Sequence, residues 1–180
     1  MATEPVLPYT NREANLLTFS MRPISDLMMS LLELTDNSVR QRVRKTAEDP
    51  PRVSVYDVIG VITGQSQTAR SVIYKRLVDN FPEATTQCCT FRFPGKGQQP
   101  PPVTDARGIV TITMLLPGRA AASVRKEAAS CLVRYLGGDL TMIDEIASNH
   151  LSQQELDEDA PAKLFGQAVD NEAVKRKRDK

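Results

Sequence analysis

Apolar positions recur at helical spacing through most of this chain and alternate in two short stretches. The first periodic run follows Pro23, where Leu27, Met28, Leu31, Leu32 and Leu34 share a face. Ser25 stands where an N-cap is needed, so a helix is expected to about Leu34. Such a helix serves a core, a dimer contact or a partner groove. SVRQRVRKT, residues 38–46, sets Val39 and Val43 among Arg40, Arg42, Arg44 and Lys45, which fits an exposed helix and an edge strand equally. Pro50 and Pro51 continue neither and mark a turn.

SVYDVIGVITGQSQTARSVIYKRL, residues 54–77, reads as two helices. Ser54 with Asp57 three residues on has the form of a capping box, predicting a helix over 55–63 that stops at Gly64 in the left-handed conformation. Ser66 or Thr68 caps a second helix to about Asp79, and the two form a helix-turn-helix-like pair. At 100° per residue Ala69, Val72, Ile73 and Leu77 of that second helix should pack. Gln67, Ser71 and Lys75 lie opposite, with Tyr74 and Val78 beside them, and Arg70 and Arg76 flank the packed stripe. A face of amide, hydroxyl, ammonium and phenol suits phosphates and base edges, although many solvated helix faces look the same.

Alternation appears in QCCTFRFPG, where Cys89, Phe91 and Phe93 enclose Thr90 and Arg92, so a half-buried strand is expected. PGKGQQPPP, residues 94–102, then forms a loop that either reaches a groove or merely links a hairpin. It lacks Walker spacing. ARGIVTITMLL suits helix or strand, and the Asp105 cap with Pro117-Gly118 beyond favours a buried helix. Residues 119–136 form the clearest helix, with Val124, Ala128, Cys131, Leu132 and Tyr135 as its apolar stripe and Arg119 and Lys126 opposite. Gly137-Gly138 stops it, and Asp139 or Thr141 caps a last helix with Leu140, Ile143 and Ile146 inward. Beyond Leu151 the chain is acidic and poor in large apolar residues, so it is expected to be disordered or loosely helical, with AKLFGQAV at 162–169 as a short binding segment.

These elements predict an α+β, mostly helical fold, in which two further C-terminal helices pack on the helix-turn-helix-like pair and its β-hairpin. The expected organisation is a disordered leader over 1–14, one globular domain over 15–150 and a flexible tail over 151–180. The whole, 180 residues with 41% hydrophobic and no Trp, allows one aliphatic core.

Net charge is +1, but it is unevenly spread. Between residues 52 and 138, eleven bases and five acids leave +6; from 139 to 170, eight acids against Lys163 leave −7. A basic body followed by an acidic trailer predicts a polyanion partner, a nucleic acid, and a trailer able to compete with it. The residues expected to contact nucleic acid are Gln67, Arg70, Ser71, Lys75, Arg76, Arg92, Lys96, Arg119 and Lys126. Lys175, Arg176, Lys177 and Arg178 have the form of a nuclear localisation signal or a solubilising basic end.

Catalysis is not expected. His150 is the single His and sits at a helix exit, Asp57 and Asp105 read as caps, and Asp144 and Glu145 point apart. No HxxxH or CxxC spacing occurs, and neither metal nor cofactor is expected. Cys88, Cys89 and Cys131 fit a reducing compartment, nuclear or cytoplasmic. No secretory pattern or membrane span is read. The alternative to nucleic-acid binding is an interaction or oligomerisation module acting through Leu27–Leu34.

YDVIGVITG, a basic helix, PGKGQQPPPVTDARGIV and LLPGRAAASVRKEAASCLVRYLGGD come in an order that resembles the Bro-N and KilA-N DNA-binding modules of phages and large viruses. The correspondence runs through Val58-Ile59, Val103-Thr104, Gly108-Ile109 and Ala122 to Arg134, roughly residues 52–138, and lacks the Trp of that family's last helix. The resemblance implies DNA binding through the basic helices, without catalysis.

Overall fold

A computed structural model of the chain describes residues 43–95 and 99–179. The helix expected at Leu27–Leu34, and Lys96 of the loop, lie outside them. Val43 to Thr46 enter as an extended edge: Lys45 bridges Val53, and the Ser54 amide donates to the Arg44 carbonyl. The described part of SVRQRVRKT is therefore strand-like. It borders β1 (Val53–Ser54), which opens a three-stranded antiparallel sheet of order β1-β3-β2.

Between β1 and the rest of that sheet the chain inserts a helical pair. The Ser54 hydroxyl accepts from the Asp57 amide and starts α1 (Val55–Thr63). Gly64 ends α1 at φ 66°, a left-handed geometry that a side chain would strain. Gln65 and Ser66 complete a three-residue turn into α2 (Gln67–Asn80). A 3-10 turn at Pro82–Thr85 leads to β2 (Cys89–Thr90), and β3 (Pro102–Thr104) returns between β1 and β2, pairing Cys89 with Val103 and Val53 with Thr104. The hairpin is present but its outgoing strand is shorter than expected. Phe91 and Phe93 leave the sheet and pack edge to face, 5.0 Å between centroids, burying Phe93.

Asp105 caps α3 (Ala106–Leu115) by accepting from the Gly108 amide, so the ambiguous β-branched segment is helical. Gly118 begins α4 (Arg119–Leu136), whose Ala121 and Val124 are buried. The core gathers Val53, Val55, Val58, Ile59 and Ile62 with Ile109, Ile112 and Leu116, so α1 lies at its centre with α3 and α4 against it. Arg125 donates to the carbonyls of Met114 and Leu116 and closes the α3 exit.

Three expectations are corrected beyond Val124. Leu132 and Tyr135 of the supposed α4 stripe are exposed, because the helix outruns the core that covers its first half. In α5 (Met142–Glu155) Leu140, Ile143 and Ile146 face outward, Leu140 by 77%, while Met142, Glu145, Asn149 and Gln153 take the half-buried positions. The rotation follows from Arg134, which holds Asp139 at 2.6 Å and Glu145 at 2.6 Å and so turns the polar side of α5 inward. The third concerns the tail. α6 (Lys163–Arg178) is helical, and Ala160, Ala162 and Leu164 at its start are fully or nearly buried. AKLFGQAV thus binds this domain itself, beside Val43 and Ile109.

Candidate nucleic-acid interface

α1 buries six of its nine residues, whereas α2 buries only Leu77 of fourteen. One helix is scaffold and the next is presented on it. The presented face differs from the expected one by a part-turn. Val72, expected to pack, is 46% exposed, and Tyr74, expected outside, is half-buried. The Tyr74 ring meets Tyr56 of α1 edge-on at 5.7 Å and shares a hydrogen bond with Cys88. Burying an aromatic ring outweighs burying a Val, and that decides the rotation. Burial, then Cys88, raises the Tyr74 hydroxyl far above the ordinary phenol range, so it stays a neutral donor; burial also raises the Cys88 thiol.

Outward-facing residues on α2 are consequently Gln67, Thr68, Val72, Lys75, Arg76 and Val78, with Asp79 and Asn80 exposed in its last turn. Lys75 and Arg76 have no ion-pair partner among the described residues. Ser71 is half-buried and its hydroxyl donates back to the Thr68 carbonyl, so its acceptor lone pairs remain open. Arg70 is differently placed. Its Nε donates to the Gln65 carbonyl at 2.8 Å, and its guanidinium lies over Gly60, where a Cβ would sit only 2.2 Å from Cζ. Arg70 therefore clasps the turn between α1 and α2.

The hairpin loop is anchored beside this pair through residues that sequence reading did not single out. Arg44 grips Asp57 of α1 through two side-chain bonds, Nε–Oδ2 at 2.7 Å and Nη2–Oδ1 at 3.1 Å. The same guanidinium lies 4.8 Å from the centre of the Phe93 ring. Asp57 is thus more than the helix cap it was expected to be: it ties the incoming chain, α1 and the base of the loop. Arg92, adjacent to Phe93, is exposed. The signal that could have found this anchor was a basic residue facing an acid across EDPPR, but nothing in the spacing identifies the partner.

Arg119 and Lys126 are exposed on the first half of α4 and unpaired among the described residues. They lie on a different element from Lys75 and Arg76, and among the described residues no hydrogen bond or ion pair joins the two sets. Lys175 to Arg178 occupy the last turn of α6, where cations complement the helix dipole, and Arg176 pairs with Glu172 at 3.2 Å. Within the acidic trailer Asp139 and Glu145 are held by Arg134, and the segment beyond them makes its own contacts. Glu158 meets Lys163 at 3.2 Å and its carbonyl accepts from Lys45, while Glu172 holds Arg107 of α3 at 2.8 Å. Burial lowers the Lys45 ammonium below the usual range.

Among the described residues no group of three His, Cys, Asp or Glu side chains could hold a metal ion, and no helix is long and apolar enough to cross a membrane. No protein-family profile, no curated protein and no solved structure matches this chain.

Proposed function

We propose that the protein binds DNA without catalysing a reaction on it, with α2 as the helix offered to the groove and the hairpin loop along the adjoining backbone. The observation that carries this reading is the contrast within the helical pair. α1 is sunk in the core and α2 shows nearly its whole length to solvent, with two cations unpaired among the described residues, a hydroxyl and a branched methyl pair on that face. Phosphates would be met by Lys75 and Arg76, base edges by Gln67 and Ser71, and a thymine methyl by Val72. Arg70 acts one step back, as the positioning residue of the turn. Arg92 and Lys96 of the loop, and Arg119 and Lys126 of α4, supply further phosphate contacts. The +6 body and the resemblance of residues 52–138 to Bro-N and KilA-N modules support the same reading. Lys175–Arg178 are read with it as a nuclear address.

The test is a salt titration of full-chain binding to a labelled duplex. Lys75→Ala with Arg76→Ala should weaken binding at least tenfold at low salt and flatten the plot of log affinity against log salt by about 1.8, roughly 0.9 per lost phosphate contact. Arg107→Ala, which removes a cation already paired with Glu172, should change little. Absence of binding at about 50 mM salt, or equal losses from both variants, would sink the proposal.

A further inference from the structure

The largest unexplained feature lies away from α2. Leu132 and Leu136 of α4, Leu140 of the corner, and Ile143, Ile146 and Leu151 of α5 are each more than half exposed. Val133 and Tyr135 lie beside them, 70% exposed each. Taking roughly 150–200 Å² for a fully exposed large side chain, these residues offer about 800–1,000 Å². The largest apolar patch on a monomeric protein is usually about 300–600 Å². A standard interface takes about 800 Å² from each partner.

The face is also held rigid. Arg134 donates to Asp139, to Thr141 Oγ1 at 2.9 Å and to both carboxylate oxygens of Glu145, while Asp139 Oδ1 accepts from the Thr141 amide. These bonds from Arg134, then those from Thr141, hold the Asp139 carboxyl down at about 2. The corner thus fixes two helices with their apolar sides outward, and a preorganised face loses little entropy on docking.

We infer that this face is the contact between two copies of the chain, related by a two-fold axis that brings α4 and α5 against their equivalents. Its area is what a dimer of this size needs, and an aliphatic face can complement itself in an isologous pairing. The competing occupant is the chain's own leading segment, which carries Leu27, Met28, Met29, Leu31, Leu32 and Leu34, and the experiment separates the two.

Sedimentation equilibrium of the full chain without nucleic acid tests this independently of DNA binding. The mass should be twice 19.9 kDa at micromolar concentration. Ile143→Asp with Ile146→Asp should raise the dissociation constant a hundredfold or more with helical content unchanged, since both sites are already exposed. Leu140→Asp, in the corner, should act in the same direction, and Val174→Asp, on α6, should not. A monomeric wild type, or a dimer that withstands the Ile143 and Ile146 changes, would overturn the inference. So would a monomer that dimerises only after Leu27→Asp with Leu31→Asp, which would mean that the leading segment covers the face.

Discussion

α1 and α5 carry the same kind of amphipathic pattern and meet opposite fates. In α1, Val55, Val58, Ile59 and Ile62 turn into the core; in α5, Ile143, Ile146 and Leu151 turn out. Each helix also has a carboxylate held by an arginine, Asp57 by Arg44 and Glu145 by Arg134. In α1 that pair stands at the rim of a core already filled by α3 and α4, so the charge contact and the apolar face agree. In α5 little core remains, and the Arg134 cluster together with the contact of Gln153 against α6 sets the rotation. A hydrophobic stripe identifies a face that wants cover; only neighbouring elements determine whether the same chain supplies it.

The sharpest way to break this comparison is to truncate the same side chain on each helix. Ile59 is 0% exposed among branched aliphatic neighbours. Ile59→Ala removes its transfer free energy and leaves a void, an expected loss of about 2–5 kcal/mol. Urea denaturation followed by circular dichroism measures it, and a loss under about 1 kcal/mol would mean that α1 is not the centre of the core.

A second substitution probes the joint between the sheet and α3. Gly108 lies inside α3, where helix propensity alone predicts that Ala would stabilise by about 1 kcal/mol. Yet a Cβ there would fall 2.0 Å from Thr104 Oγ1. Thr104 is wholly buried in the central strand β3, which pairs on both sides, so it has nowhere to move. Overpacking of this kind costs about 1–3 kcal/mol, so Gly108→Ala should destabilise on balance. A rise in Tm would show that propensity wins and that Thr104 adapts.

Much of the body was legible because its signals are local. The Ser54 cap, the Gly64 stop, the Asp105 cap and the Gly137-Gly138 stop each act within a few residues, and α1, α2, α3 and α4 follow from them. What escaped depends on contacts distant in sequence. The Tyr74–Tyr56 pair rotated α2, the Arg134 cluster rotated α5, and burial of Leu164 against Val43 turned an acidic tail into part of the domain. The candidate site was legible in its exposed cations, Lys75 and Arg76, and not in Arg70, Val72 or the Arg44–Asp57–Phe93 anchor, whose roles depend on partners that periodicity does not name.

The smallest expected effect is the counterpart of the first. Ile146 is 61% exposed, so Ile146→Ala removes methyl groups that already meet water in the isolated chain. In dilute protein, where association contributes nothing, its unfolding free energy should change by less than about 0.5 kcal/mol, as for other surface sites. That is a gap of at least about 1.5 kcal/mol from Ile59→Ala for the same atoms deleted. At high protein concentration the two-copy contact adds a term by mass action, and the variant should lose part of that concentration dependence. A large loss that persists at all concentrations would place Ile146 under cover within its own chain, and α5 would then resemble α1 after all.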